Sequence, residues 1–275
     1  MIHFTRKREA VMRKFLSLTL IAIMLLAIFT LTGCDAILQI IQNYSKIDAA
    51  ALTNQISTDT IRGVVTIYNK SYNSFLGLET AYSTKQGSGF CFHIEDGYYF
   101  ILTNCHVAEK DPSYDKQKFT IEDYQGNTYE GSLFQFKNAN EIVSAISPSY
   151  DLACLYFKAS STNVKQLDIV TQNPNINSDV ISLGAPEGQA NAITFGKITG
   201  YGKVTLPESS PTSTNVTFDV IGHNAYINNG SSGGPLLNAD LNVVGVNYAG
   251  SSTDNFGAAI PAEKIIEFLE QYVFK

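Results

Sequence analysis

From Ile61 to Pro261 the chain is a succession of short apolar runs cut by turn residues, and this texture limits most strongly what it can become. Runs such as "GVVTIYN", "GSGFCFHI", "YYFILTN", "LACLYF", "DVISLG" and "NVVGVNYAG" alternate with clusters of Gly, Asn, Asp and Ser. Many short strands at even spacing, rich in Val, Ile, Phe, Tyr and Thr, imply an all-β sandwich or barrel. "EDGY" at 95–98 and "YQGN" at 124–127 have the make-up of hairpin turns. The texture ends at "PAEKIIEFLEQYVFK", where Ile265, Ile266, Phe268, Leu269, Tyr272 and Val273 share one apolar face behind Pro261. A terminal amphipathic helix over 261–274 follows, docked on the β body. The 275 residues suffice for one large β domain or two small ones sharing a core.

The first 57 residues read differently. Arg6, Lys7, Arg8, Arg13 and Lys14 precede the apolar run "FLSLTLIAIMLLAIFTL" at 15–31. A basic flank, an apolar run and small residues after it describe a secretory signal. A transmembrane anchor is the alternative, because the run is near the lower length limit for a span. Leu31-Thr32-Gly33-Cys34 resembles a bacterial lipobox. That resemblance implies removal of 1–33, lipidation of Cys34 and attachment to the cell envelope outside the cytoplasm. Met12 also offers a start, since "MRKFLSL" opens a complete signal. Residues 34–57 lack Pro and, beyond Gly33, Gly; with loosely helical apolar spacing they read as a stalk before a domain at 58–275.

Charge and cysteines narrow the partners. Five of the 19 basic and one of the 25 acidic residues lie in 1–33, which leaves 14 against 24 and a net charge of −10. So acidic a chain, with no basic stripe, is a poor nucleic-acid binder and is not drawn electrostatically to anionic lipid. Cys154 sits in an apolar run and reads as a small buried side chain. Cys91 and Cys105 flank a hairpin, either as a disulfide across the ladder or as two buried thiols.

The stretch "NNGSSGGPLLN" at 228–238 sets Ser231 and Ser232 in a glycine cage. It reads either as a surface turn or as a nucleophile ringed by backbone N–H groups. Acyl transfer also needs a base, a group to orient it and donors for the oxyanion. Of His93, His106 and His223, the histidine best placed is His106, at the end of the apolar run "FILTNCHV". The others read as surface or hydrogen-bonded residues. Asp151 opens the apolar run "DLACLYF", where an unpaired charge is costly, so it needs a partner such as His106.

These segments, in the order "GSGFCF", "LTNCHV", "DLACLYF", "LGAPEGQANAITFGKITG", "NNGSSGGPLLN", "VVGVNYAG" and "FGAAIPAEKIIEFL", resemble the trypsin-fold serine peptidases of the Deg/HtrA branch. The resemblance covers about 58–274 and has the chain order His, Asp, Ser. It implies two six-stranded antiparallel β-barrels, about 58–160 and 165–260, with the site in the cleft between them. It implies a serine endopeptidase acting on polypeptides, with no metal or organic cofactor and with self-association into a homo-oligomer allowed. Ser232 takes the nucleophile's place, His106 the base's and Asp151 the orienting carboxylate's. Gly230, Ser231 and Ser232 frame the oxyanion hole, the first and last as donors. Substrate lies along Asn247, Tyr248 and Ala249, with Tyr226 at the specificity position. Tyr226 and Asn247 replace the residues that select basic or acidic side chains, which leaves a small or medium apolar preference. The loop "YINNGSS" departs from the branch, and with the terminal helix read as the end of the domain no PDZ module is expected after it. That loop keeps open a second reading, a catalytically impaired trypsin-fold binding module.

Overall fold

The structure, a computed structural model, describes residues 49–139, 141–185, 191–206, 216–251 and 256–274. The signal segment, Cys34, the first part of the stalk and the loop 207–215 lie outside the described residues.

Two closed antiparallel barrels of six strands each form the body, as the strand texture requires. The first contains β1 (Val64–Phe75), β2 (Leu78–Glu95), β3 (Tyr98–Thr103), β4 (Lys116–Glu122), β5 (Thr128–Leu133) and β9 (Leu152–Lys158). Its order is β3-β2-β1-β4-β5-β9, and β9 pairs back onto β3. The short β8 (Ile146–Ser147) joins the rim beside β9, while β6 (Gln135–Asn138) and β7 (Glu141–Ser144) form a separate hairpin. The second barrel runs β10 (Asp179–Gly184), β11 (Ala192–Gly202), β12 (Val220–His223), β15 (Phe256–Pro261), β14 (Val243–Ser251) and β13 (Pro235–Leu237). Pairing of β13 with β10 closes it.

Three apolar clusters hold this arrangement. Ile67, Ile101, Ile121 and Leu155 lie in the cluster inside the first barrel. A smaller group, including Val180, Ile198, Ile221 and Val244, lies inside the second. The largest cluster joins both barrels: Leu102 and Leu152 of the first meet Ile181, Leu183, Val246 and Tyr248 of the second. Helix α3 (Ala262–Tyr272) adds Ile265, Phe268 and Leu269 to it. Each fully buried side chain of this size contributes about 1.5–3 kcal/mol, so the barrels share a core and not merely a boundary.

Four details differ from the sequence reading or sharpen it. The compact unit starts at Ala49, because α1 (Ala49–Thr58) buries Ile56 completely in the shared core. Pro261 is still extended, at φ −72 and ψ 156, and pairs with Gly245; it caps α3 and does not begin it. The strand texture of the sequence breaks after Asn69 and resumes at Gly87. The structure instead continues β1 and β2 as one long ribbon to a turn at Leu76-Gly77. Cys91 faces Ile101 across the ladder, not Cys105, and both thiols are free; burial pushes each up to about 12.

Candidate active site

His106 and Asp151 come together at the rim of the first barrel. His106 lies in the short helix α2 (Cys105–Ala108), directly after β3. Asp151 ends the tight turn ahead of β9, where its N–H donates to Pro148 O. The imidazole Nδ1 lies 2.8 Å and 3.1 Å from the two carboxylate oxygens. The His106 backbone N–H donates to Oδ1 at 3.0 Å. Asn104 Nδ2 donates to the Asp151 carbonyl at 2.9 Å and so fixes the backbone of the turn. Asp151 stands at φ +50, a left-handed conformation a non-glycine residue holds only when its surroundings enforce it.

Burial decides the electrostatics of this pair. Asp151 is 0% exposed and His106 4%. Burial pushes the Asp151 carboxyl above the usual carboxylate range, against the hydrogen bonds from His106 that pull it down. A carboxylate in this position keeps Nδ1 protonated and leaves Nε2 as an acceptor facing away from it.

The second barrel presents the glycine cage. Gly230 stands at φ +96, and its carbonyl accepts the Ser88 hydroxyl at 2.6 Å. The Gly233 N–H donates to Asn247 O, and the Asn247 N–H donates to Gly234 O. Gly233, at φ +86, is pressed so closely on the first barrel that a Cβ there would lie 2.0 Å from Ser88 O. No other residue fits that contact. Ser231 is buried, and its N–H donates to Asn228 O at 2.9 Å. The sequence reading counted Ser231 in the oxyanion frame; its N–H is thus committed to the loop, and it contributes shape alone. Among the described residues, the N–H groups of Gly230 and Ser232 have no partner. Ser232 Oγ is half-buried and makes no hydrogen bond to His106.

Ser88 is the residue the sequence reading passed over. Its N–H donates to Ser232 O at 2.7 Å, and its hydroxyl, besides donating to Gly230 O, accepts the Ala185 N–H at 2.9 Å. One side chain of β2 therefore clasps both the serine loop and the end of β10. The signal in the sequence was a serine between two glycines, in "GSGF", inside an otherwise apolar strand.

The residues proposed for substrate contact separate into two groups. Tyr226 is 42% exposed, and Asn228 Nδ2 donates to its hydroxyl at 3.1 Å. Ala249 is nearly buried, and Asn247 and Tyr248 are 0% exposed. Asn247 donates from Nδ2 to Ser182 Oγ. The side chains of Asn247 and Tyr248 therefore belong to the core and line no open pocket, because strand alternation turns them inward or onto the shared cluster. Their backbone is placed otherwise. β13 leaves β14 at the Pro235–Val246 pair, so the edge of β14 from Tyr248 onward, on the Ser232 side, carries no strand among the described residues. Ile227 fills the space opposite that edge: a Cβ on Gly250 would lie 2.6 Å from its Cγ1.

Of the remaining histidines, His93 is a surface residue near Glu95, at 3.8 Å. His223 overturns its reading as a surface or hydrogen-bonded group. It is 0% exposed, its ring nitrogens have no well-formed hydrogen bond, and burial pushes its pKa down to about 4 against the weak pull of the Asn247 side chain and the Ala225 backbone.

Comparison with known proteins agrees with this geometry. Residues 87–246 match the trypsin-like peptidase domain. The chain is 27% identical over 241 residues to the Do-like serine protease HtrA of Bacillus subtilis (strain 168), covering 83% of this chain and 50% of that one. It is 30% identical over 194 residues to the serine protease HTRA4 of Mus musculus, covering 69% of this chain and 35% of that one. The chain thus spans a third to a half of the length of these relatives. In fold it is similar to the active form of a protease from M. tuberculosis, with a TM-score of 0.61 at 22% identity, covering 83% of this chain and 88% of that one.

Proposed function

The chain belongs to the trypsin-like peptidases, and from that membership we propose that it is a serine endopeptidase of the cell envelope in which Ser232, His106 and Asp151 carry the reaction. The observation that supports this best is the buried His106–Asp151 pair, whose Nδ1 meets both carboxylate oxygens. A buried carboxylate against imidazole Nδ1 is the arrangement that makes Nε2 a base.

In the proposed reaction a peptide pairs as an added strand with the edge of β14 from Tyr248 onward, past the end of β13. Its scissile carbonyl then lies over Ser232. Ser232 Oγ attacks the carbonyl carbon while its proton passes to His106 Nε2, and the carbonyl oxygen takes up the negative charge. The unpartnered N–H groups of Gly230 and Ser232 receive that oxyanion; one such donor is worth about 3–4 kcal/mol of transition-state stabilisation. His106 returns the proton to the leaving amine, and water completes the cycle by the same route. Ile227 crowds the Gly250 position, and Tyr226 and Asn247 bring no charge, which supports a small or medium apolar side chain before the scissile bond. The lipobox at 31–34 supports attachment through Cys34, and the relatives named as serine proteases support cleavage of polypeptides; processing or quality control of envelope proteins is the role we propose for that cleavage.

One observation favours the second reading, a binding module that kept the scaffold. The Ser232–His106 hydrogen bond is open, although such bonds tighten in the substrate complex of many enzymes. A fluorophosphonate probe separates the two readings, since it labels Ser232 only where the serine is activated. The decisive test is Ser232→Ala, which abolishes casein cleavage at an unchanged melting temperature. Residual cleavage by this variant overturns the assignment.

A further inference from the structure

The β1–β2 ribbon ends in a feature that folding does not explain. At its tip Phe75 is 68% exposed, Leu76 88% and Leu78 72%. Leu76 stands at φ +51, in a two-residue hairpin turn with Gly77. That position favours Asn, Asp or Gly. A leucine there strains the backbone and leaves its whole side chain in water, so stability alone does not account for it. Three adjacent large apolar side chains at a protruding end mark a contact surface.

The register shows how the tip is presented. β4 begins at Lys116, opposite Tyr72, so the rows of the ribbon beyond Tyr72 have no third strand. The apolar end therefore projects about 10 Å past the barrel rim. Behind it lies a row of Tyr82, Tyr72 and Lys116, and behind that a row of Thr84, Lys70 and Lys118. Lys70 lies over the Tyr82 ring and Lys118 over the Tyr72 ring. Both lysines also pair with Glu79. Glu79, opposite Ser74 one row behind the tip, draws both ammonium groups forward to the tyrosine rings, so the apolar end is followed by one band of two tyrosines and a Glu79–Lys70–Lys118 cluster. An apolar end backed by amphipathic rings and paired charges matches the acyl chains and the interface of a bilayer.

We propose that this tip inserts into a lipid bilayer, with Phe75, Leu76 and Leu78 among the acyl chains and Tyr72 and Tyr82 at the interface. The anchored reading supplies only the bilayer. The 14 residues from Asp35 to Asp48 reach at most about 50 Å, and β1 spans about 40 Å, so a chain held at Cys34 can set its tip on the same membrane. That tether keeps the tip at high effective concentration near the lipid, where three apolar side chains suffice despite the acidic body. Insertion would orient the barrels on the membrane, not merely tie them to it.

The chain contains no tryptophan, so a single Trp at the tip is the only one to report. Full-length Leu76→Trp is reconstituted in phosphatidylethanolamine–phosphatidylglycerol vesicles, with and without brominated acyl chains. Insertion gives blue-shifted emission and quenching by the brominated lipid. Adding Phe75→Ser and Leu78→Ser lowers the quenched fraction about ten-fold. Leu78→Trp, on the extended strand, gives the same reading should Trp be poorly tolerated in the turn. Water-like emission overturns the proposal. So does a blue shift without bromine quenching, which shows that a second copy or another protein covers the tip. Each measurement is repeated with Cys34→Ser: a tip that still quenches leaves the insertion standing where lipidation at Cys34 fails.

Discussion

The two barrels have the same strand count and different interiors. The first is apolar around Ile67, Ile101, Ile121 and Leu155, and its buried polar side chains lie toward its ends with their hydrogen bonds made: Asn69 and Ser71 against α2 and the residues that follow it, His106 and Asp151 at the rim. The second has a smaller apolar cluster and encloses Ser182, His223 and Asn247. Its site residues sit on a loop with two left-handed glycines, held within its own barrel by the Asn247 backbone and across the boundary by Ser88. In the proposed mechanism the proton-handling groups therefore ride on the stiffer half. The groups that meet a variable peptide ride on the half whose interior is polar and whose loop depends on its neighbour. A close-packed apolar core transmits strain and resists adjustment, whereas incompletely paired buried polar groups make a core sensitive to pH and substitution.

The sharpest way to test the first half is Asp151→Asn. The amide keeps the shape but presents an N–H to imidazole Nδ1, which forces the wrong tautomer. Activity should fall about 10⁴-fold. The melting temperature should hold or rise, because burial raises the Asp151 carboxyl and the fold bears the cost of ionising it at neutral pH. Peptidase assays with calorimetry at pH 7 check both. A large fall in melting temperature would show that the carboxylate is needed for the fold, and the division of labour between barrels would lose its basis.

The second half is probed through His223. Its folded value of about 4 lies below the ordinary 6.5. Between these values the unfolded chain binds more protons than the folded one, so stability is full above about 6.5 and declines as the pH falls toward 4. The loss is about 3 kcal/mol in all. His223→Asn removes the proton uptake and should flatten the acid limb of a melting-temperature profile. An unchanged limb would mean that the polar interior of the second barrel is not its acid-sensitive part.

What was legible in the sequence follows the same division. Strand texture, the turn at 95–98 and the terminal helix were readable because alternation and turn chemistry are local. Asp151 was readable because a charge at the head of an apolar strand requires a partner, and the barrel supplies His106. The ribbon between Asn69 and Gly87 was not, because its outer rows are exposed on both faces and no alternation remains to be seen. His223 was misjudged because its β12 neighbours look like those of any strand; only closure of the barrel over Gly257 seals the ring. Ser231 and Ser232 look alike in the chain. The Ser231 N–H bond to Asn228 O, a property of loop geometry, separates them.

Ser88 gives a smaller effect on activity than Asp151 and the most direct test of how the halves are joined. Its hydroxyl bridges Gly230 O and the Ala185 N–H across the barrel boundary, at 0% exposure. Ser88→Ala leaves the buried Ala185 N–H unpaired, at about 1–3 kcal/mol, and the part-buried Gly230 carbonyl at less. The Gly230 peptide then loses the bond that fixes its orientation, and with it the direction of the oxyanion donors on either side. The His106–Asp151 pair does not touch Ser88 Oγ and keeps its geometry. The expected result is a fall in kcat of about 10–100-fold with a much smaller change in KM, and an equal slowing of fluorophosphonate labelling, since both reactions build charge on the same oxygen. A variant that loses stability but keeps its kcat would show that the serine loop holds its shape without the first barrel. The second barrel would then be the self-sufficient half, and the contrast drawn between the two would have to be reversed.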